Sequence, residues 1–149
     1  MMHILPYIEG SVTMWFKNLM TYRLTKPLDW DLAQLQTQLE DCQFHPCGAQ
    51  DQSKFGWSAP LRGSDLLYFS VGKQILLIAK KEEKILPANV VKRELDERIE
   101  SLEQKENRKL KKVEKQTLKD DVVMNLLPRA FSKNQHTALW IDTENDLVH

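Results

Sequence analysis

Apolar residues recur at two different spacings along the chain, and the two spacings divide it into sheet and helix. Alternation of apolar and polar side chains predicts strands over 15–24 and 136–141. Two further apolar runs, 66–71 and 74–80, flank a Gly-Lys pair at 72–73. A two-residue connection that begins with glycine is typical of a tight hairpin turn. These segments therefore predict antiparallel strands with at least one hairpin.

A first helix is predicted between this early strand and the hairpin. Leu32, Leu35 and Leu39 recur at helical spacing, and Asp29 is a suitable N-cap for a helix that runs to about Asp41. Its apolar side is expected to cover the sheet. The segment 44–63 is rich in Gly, Pro, Gln and Ser, so it is predicted to be a loop with one short strand.

The longest helical pattern follows Pro87 and runs from Ala88 to about Lys119. It predicts a single amphipathic helix, with a kink or a frayed turn at Asn107. Its apolar side is formed by Val91, Leu95, Ile99, Leu102, Leu110 and Val113. Beyond Lys119 the apolar residues shift to nearly the opposite side, which predicts a second, short helix that Pro128 ends. Asp120 or Asp121 is expected to cap that second helix.

These elements predict an α+β fold of antiparallel strands packed with helices. Residues 14–87 and 136–149 are expected to be mainly sheet with one helix, and residues 88–135 a helical arm. Residues 1–13 are expected to be a poorly ordered extension, because Pro6 and Glu9 interrupt their apolar stretch and no basic segment precedes it. A strand that begins at 147–149, just before the last residue, leads us to expect a piece of a longer protein.

Charge changes this picture through its distribution and not through its total. The 149 residues carry 21 basic and 21 acidic side chains, so the formal net charge is zero. A strongly basic protein, the usual form of a nucleic-acid binder, is therefore excluded. The segment 105–119, however, holds seven basic residues and only Glu106 and Glu114 as acids. The cations are segregated in one part of the predicted long helix.

Placed on a helix, most of these cations fall on one side, within an arc of roughly 120°. The arc contains Lys105, Arg108, Lys111, Lys112, Lys115 and Lys119. Leu110, Val113 and Thr117 lie on the opposite side, where they are expected to pack on protein. A row of cations held outward suits a phosphate backbone. The alternative is an ordinary solvated helix face, since lysine is a good surface helix former.

A second basic segment follows Pro128. Arg129, Phe131 and Lys133 alternate there, so the two cations can contact phosphates while the ring stacks on a base, wedges between bases or forms a subunit contact. The alternative is a buried Phe131 with Arg129 at its rim. The DNA-binding residues predicted from both segments are Arg108, Lys109, Lys111, Lys112, Lys115, Lys119, Arg129 and Lys133.

Catalytic and metal-binding patterns are weak. Cys42, His45 and Cys47 are close in sequence, but their spacing is not that of an established metal site and no second ligand pair follows. A small metal or thiol enzyme centred on them remains a rival hypothesis. We expect no enzyme, no metal and no cofactor. Two cysteines fit a reducing cytoplasm, and no apolar run approaches the length of about 20 residues that a membrane span needs.

An ordered set of segments resembles the RdgC family of bacterial recombination-associated proteins. The set is WFKN (15–18), HPCG (45–48), KFGW (54–57), KEEKILP (81–87), RKLKK (108–112), LKDDV (118–122), LLPRAFS (126–132) and WIDT (140–143). The resemblance runs from Met14 to His149, and it implies that this chain corresponds to the N-terminal portion of a longer protein.

The resemblance implies a homodimer closed into a ring that binds single- and double-stranded DNA without sequence preference. It also implies a location on the nucleoid in the cytoplasm and a role in restraining RecA-dependent recombination. The basic arc agrees with this, because a protein that encircles DNA needs phosphate contacts more than base contacts. The rival is a protein-interaction module that dimerises through the apolar side of the 88–119 helix without binding DNA.

Overall fold

The computed structural model of the chain describes residues 18–149. The predicted extension at 1–13 and the start of the strand predicted over 15–24 therefore lie outside the described residues. The elements are β1 (Tyr22–Arg23), α1 (Leu32–Glu40), β2 (Ser53–Ser58), β3 (Tyr68–Val71), β4 (Gln74–Lys84), α2 (Ala88–Glu106), α3 (Lys112–Leu126), a 3₁₀ turn (Leu127–Arg129), β5 (Ser132–Asp142) and β6 (Leu147–Val148).

The strands form a six-stranded sheet, which confirms the predicted α+β class. Its order is β1-β6-β5-β4-β2, and β3 pairs with β4. The pairs β1–β6, β3–β4 and β5–β6 are antiparallel. Strand β1 covers only Tyr22–Arg23, so within the described residues the first strand is shorter than predicted. Its register is set by β6, and the Leu24 N–H donates to the Asp146 carbonyl at 2.8 Å.

The hairpin predicted at 72–73 is confirmed. Val71 and Gln74 are paired residues, so the connection between β3 and β4 is the two-residue turn Gly72-Lys73. Gly72 has a φ of 57°, in the left-handed region that a side chain with a Cβ rarely adopts. The turn therefore depends on glycine at this position, as expected for a tight hairpin.

The chain divides into two compact units. Unit 1 comprises 18–43, 57–79 and 137–149 of the described residues, and unit 2 comprises 44–56 and 80–136. The core of unit 1 is a cluster of almost fully buried apolar side chains, namely Leu39, Leu67, Ile75, Leu77 and Ile141. Three tryptophans, Trp30, Trp57 and Trp140, also belong to unit 1.

Helix α1 covers the core of unit 1 as predicted. Leu39 is buried in the cluster, and Leu32 and Leu35 pack against it. The predicted cap was wrong by two residues, because the Asp31 carboxylate and not that of Asp29 accepts the N–H of Ala33, at 3.0 Å. An aspartate at this position satisfies one of the free amides of the first helical turn.

The prediction of one long helix over 88–119 was wrong. Helix α2 begins after Pro87, as expected, but ends at Glu106 because Asn107 adopts the left-handed conformation (φ 50°, ψ 43°). Asparagine tolerates this conformation better than most residues and often ends a helix in this way. The Arg108 N–H then donates to the Glu103 carbonyl at 3.2 Å, which closes the helix end.

The prediction of a short second helix capped by Asp120 or Asp121 was also wrong. Both residues lie inside α3, which begins at Lys112 and continues to Leu126. Helices α2 and α3 pack against each other as an antiparallel pair within unit 2, where Val91, Val122 and Leu127 are buried. Pro128 lies in the 3₁₀ turn that follows α3, which confirms that the helix ends before this proline.

Candidate nucleic-acid interface

The connection between α2 and α3 is held by carboxylates that the sequence analysis did not single out for this role. Glu103 of α2 accepts hydrogen bonds from the Lys109 ammonium at 2.9 Å and from the Leu110 N–H at 3.0 Å. Its side chain is only 12 % exposed, whereas that of Lys109 is 90 % exposed. Lys115 of α3 approaches the same carboxylate at 4.0 Å. Glu103 therefore ties both sides of the connection to the end of α2.

A second carboxylate, Glu114, holds Arg108 through two parallel hydrogen bonds. Arg108 Nη1 donates to Glu114 Oε2 at 3.0 Å, and Nη2 donates to Oε1 at 2.6 Å. Glu106 lies 2.8 Å from the same guanidinium. Glu114 also accepts the Lys111 N–H at 2.7 Å, which satisfies an amide at the start of α3. We call Glu103, Arg108, Lys109 and Glu114 the hairpin clasp.

The clasp shifts the pKa values of its members. Hydrogen bonds from Arg108 lower the pKa of Glu114 to about 2, and the Lys111 N–H adds to this effect. The hydrogen bond from Lys109, followed by that from Leu110, lowers the pKa of Glu103. Glu114 and Glu103 in turn raise the pKa values of Arg108 and Lys109. All four groups are therefore held in their charged forms.

Acid is expected to weaken the clasp, because the pKa of Glu114 is depressed on folding from 4.5 to about 2. Its contribution to the free energy of unfolding is fully present above the unfolded value and is lost as the pH falls towards 2. In thermal unfolding followed by circular dichroism, Glu114→Gln should lower the midpoint at neutral pH. Between about pH 5 and about pH 3, the thermal midpoint of this variant should fall less than that of the parent chain.

Glu97→Gln is the matched control, because Glu97 is exposed on α2 and forms no ion pair among the described residues. It should follow the parent chain at every pH. An identical acid sensitivity in Glu114→Gln and the parent would contradict this role of the clasp.

The structure therefore divides the cations of the predicted arc and the added Lys109 into two groups. Arg108, Lys109 and Lys115 lie within ion-pair distance of the carboxylates of the clasp or of Glu106. The others form no ion pair within the described part of the chain, and these are Lys105, Lys111, Lys112 and Lys119. All four are exposed. The single row of cations predicted on one helix is interrupted by the connection at 107–111.

Helix α3 still presents cations on one side. Lys112, Lys115 and Lys119 follow a spacing of three and four residues, so they share a face over about 10 Å of helix. The expected packing side was wrong for Val113 and Thr117, which are exposed, Val113 to 76 %. The break at Asn107 starts α3 in a new phase, and Leu118 and Val122 face inward instead. Leu110 is half-buried, as expected.

The second basic segment lies at the start of β5. Arg129 ends the 3₁₀ turn, Lys133 lies in β5, and both are exposed without an ion pair among residues 18–149. The backbone between them is fixed, because the Phe131 carbonyl accepts the Ile85 N–H at 2.7 Å. The Phe131 ring is nevertheless 87 % exposed, so it is not the core residue of the alternative interpretation. Ile85, whose N–H forms this hydrogen bond, is itself 48 % exposed.

Of the two cysteines, Cys42 belongs to unit 1 and Cys47 belongs to unit 2, where its backbone is hydrogen-bonded. The Cys47 N–H donates to Glu82 Oε2 at 2.9 Å, and this bond is the main cause of the lowered pKa of Glu82. Burial, followed by the charge of Glu82, raises the pKa of the Cys47 thiol. Both cysteines are free. Between residues 18 and 149, no three Cys, His, Asp or Glu side chains are grouped as metal ligands would be.

No helix in the described part of the chain is both long enough and apolar enough to cross a membrane.

Comparison with known proteins matches the whole segment that carries these features. A family model described as "Putative exonuclease, RdgC" matches residues 14–149. The recombination-associated protein RdgC of Haemophilus influenzae (strain PittGG) is 97 % identical over 136 residues, which is 91 % of this chain and 45 % of that protein. The proteins of the same name from Pasteurella multocida and Mannheimia succiniciproducens are 74 % and 69 % identical over 135 residues, again 91 % of this chain and 45 % of each protein. The chain thus spans about half the length of the curated relatives it matches, and it belongs to the RdgC family.

Proposed function

We propose that this chain binds DNA through its phosphates, without sequence preference, and does so in single and double strands. The observation that carries the proposal is that six cations of the predicted arc and of the segment that follows Pro128 are exposed and have no carboxylate partner among the described residues. They are Lys105, Lys111, Lys112, Lys119, Arg129 and Lys133. Cations whose charge is not already compensated can release counterions from DNA, which is the main source of sequence-independent affinity.

The hairpin clasp refines the set of predicted DNA contacts. Arg108 and Lys109 are engaged by Glu114 and Glu103 inside the protein, so a phosphate must compete with a carboxylate for them. We assign these two residues mainly to the connection between α2 and α3. Lys115 is intermediate, since its distance to Glu103 is 4.0 Å.

The biological role is proposed from the relatives. Their names associate them with recombination. We propose that the full-length protein modulates RecA-dependent recombination on the nucleoid, in the cytoplasm, as a homodimer closed into a ring around DNA. Phe131 serves in this proposal as a dimer contact or as a wedge between bases, because its ring is exposed on a fixed backbone.

Binding of labelled single- and double-stranded oligonucleotides of unrelated sequence, titrated with salt, tests the DNA-binding proposal. If about four of the six cations contact phosphates together, log K should fall with log salt at a slope near −4 for the duplex. The slope and the affinity should be the same for every sequence. A slope near zero, or a strong preference for one sequence, would contradict binding through phosphates.

The same samples separate the roles of Phe131 and the alternatives to DNA binding. Loss of dimer mass in Phe131→Ala, with an unchanged salt slope per chain, identifies a subunit contact, whereas loss of affinity at constant mass identifies a wedge.

We propose a non-enzymatic protein, although the family description includes a putative exonuclease. Oligonucleotides incubated with the chain and Mg²⁺ should keep their length, and shortening would reject this part of the proposal. A partner kept at high salt without DNA binding would favour the helical interaction module.

A further inference from the structure

A cleft in unit 2 combines an apolar floor with a cationic rim. It has a volume of about 570 Å³ and lies between the first turns of α2, the second half of α3 and the end of β4. Its floor is aliphatic and consists of Leu86, Val91, Leu95, Val123 and Leu127. A volume of this size is within the range of pockets that hold ligands.

The rim of the cleft carries an excess of positive charge. Lys84, Lys92 and Lys119 line it, and the one acid in the lining is Glu83. Lys81 lies 3.2 Å from the Glu83 carboxylate and compensates it. Lys92 and Lys119 form no ion pair among residues 18–149, while the Lys84 ammonium donates to the Ala130 carbonyl at 3.5 Å. The occupant that this charge favours is an anion with apolar groups.

The composition of the floor distinguishes between two anionic occupants, a nucleic acid and an acidic peptide. Proteins that hold unstacked bases do so on aromatic side chains, because each base needs a flat surface to stack on. The lining of this cleft contains no aromatic residue. Branched aliphatic side chains instead suit leucine-like anchors of a peptide, as in grooves that bind amphipathic helices.

We propose that this cleft binds an acidic peptide segment of a partner protein, with leucine-like side chains on its floor and carboxylates at Lys92 and Lys119. The proposal goes beyond DNA binding and does not depend on it. Lys119 is shared with the proposed DNA surface, so an acidic peptide and a DNA phosphate compete for this residue. Lys92 is outside that surface and can test the cleft alone.

The probe is a fluorescein-labelled peptide of sequence DELDELLDE, whose anisotropy is measured with the 149-residue chain. It should bind at least about tenfold more tightly than DESDESSDE, which lacks the apolar anchors, and KKLKKLLKK, which has the opposite charge. Lys92→Glu should weaken binding about tenfold, and affinity should fall with salt. Ala88→Trp should also block the peptide, because Ala88 is an exposed residue of the lining and a larger side chain there fills the cleft.

Arg93→Glu is the matched control, since Arg93 is exposed, adjacent to Lys92 on the same helix and outside the lining. It should change peptide affinity by less than about twofold. Equal losses in Lys92→Glu and Arg93→Glu, equal binding of the three peptides, or full binding by Ala88→Trp would overturn the proposal. A smaller molar mass of the Ala88→Trp variant would also overturn it, because it would identify a second copy of the chain as the occupant of the cleft. Weaker oligonucleotide binding by the same variant would overturn it by identifying DNA as the occupant. Unchanged oligonucleotide binding by Lys92→Glu keeps this outcome separate from that of the proposed function.

Discussion

Reversing two charges on α3, Lys112→Glu with Lys119→Glu, is expected to weaken DNA binding by about 10- to 100-fold at about 0.1 M salt. Both side chains are exposed and form no ion pair in the described part of the chain, so their full charge is available to phosphates. The loss should be the same for all sequences, and the salt slope should decrease in magnitude by about 2. Salt-titrated binding of two unrelated duplexes measures both quantities.

The matched control is the double variant Lys26→Glu with Arg62→Glu. These exposed cations belong to unit 1 and also form no ion pair among residues 18–149, so the variant has the same net charge as the first one. Its affinity should stay within a few-fold of the parent. If both double variants lose affinity equally, the net charge of the chain and not the α3 surface governs binding.

Shortening Leu67 to alanine is expected to lower the free energy of unfolding by about 2–5 kcal/mol. Leu67 is only 2 % exposed and lies in the core cluster of unit 1 with Leu39, Ile75 and Ile141. Its N–H donates to the Gln36 side chain of α1 at 2.9 Å, so the backbone at this position is held while the side chain is lost. A cavity should remain, and its lining loses contacts that collapse cannot restore.

Leu66→Ala is the control for this prediction, because the neighbouring leucine is 46 % exposed and lies outside the cluster. It should change the free energy of unfolding by less than about 0.5 kcal/mol. Urea denaturation of the two variants beside the parent chain gives the comparison. Similar losses at both positions would contradict the assignment of Leu67 to the core of unit 1.

The sheet was predictable because its signals are local. The Gly72-Lys73 turn follows from glycine between two apolar runs, and Leu32, Leu35 and Leu39 mark α1 by their spacing alone. The N-cap of α1 could not be assigned from the sequence alone, because Asp29 and Asp31 are both suitable residues. Only the hydrogen bond to Ala33 identifies Asp31 as the cap.

The break between α2 and α3 was not predictable from periodicity, because a chain of charged helix formers continues through it. Asn107 was the one local signal, and it predicts a kink or a frayed turn, whereas in the structure it ends α2. What stabilises the connection is a set of pairs six residues apart, Lys109 with Glu103 and Arg108 with Glu114. On a continuous helix such residues do not face each other, so these pairs exist only once the turn has formed.

The sequence predicted which cations lie on the surface of the candidate site, but not which of them form ion pairs or which side of the helix they occupy. The cations of 105–119 are on the surface, as expected, but a helical projection did not reveal that Glu114 and Glu103 hold Arg108 and Lys109, or that Lys115 lies 4.0 Å from Glu103. The projection also assigned Val113 to the packing side, where the new phase of α3 exposes it. The cleft beside Lys92 gave no sequence signal, because its lining comes from β2, β4, α2 and α3 together.

The tryptophans of the described chain, Trp30, Trp57 and Trp140, all belong to unit 1, whereas the two longer helices belong to unit 2. Emission from these three indoles therefore reports on one unit, and the far-ultraviolet signal of the described helices is dominated by the other. Coincident denaturation curves from the two spectroscopies would mean that the units unfold as one cooperative system. Separate curves would measure the stability of each unit independently, without an extrinsic fluorescent label.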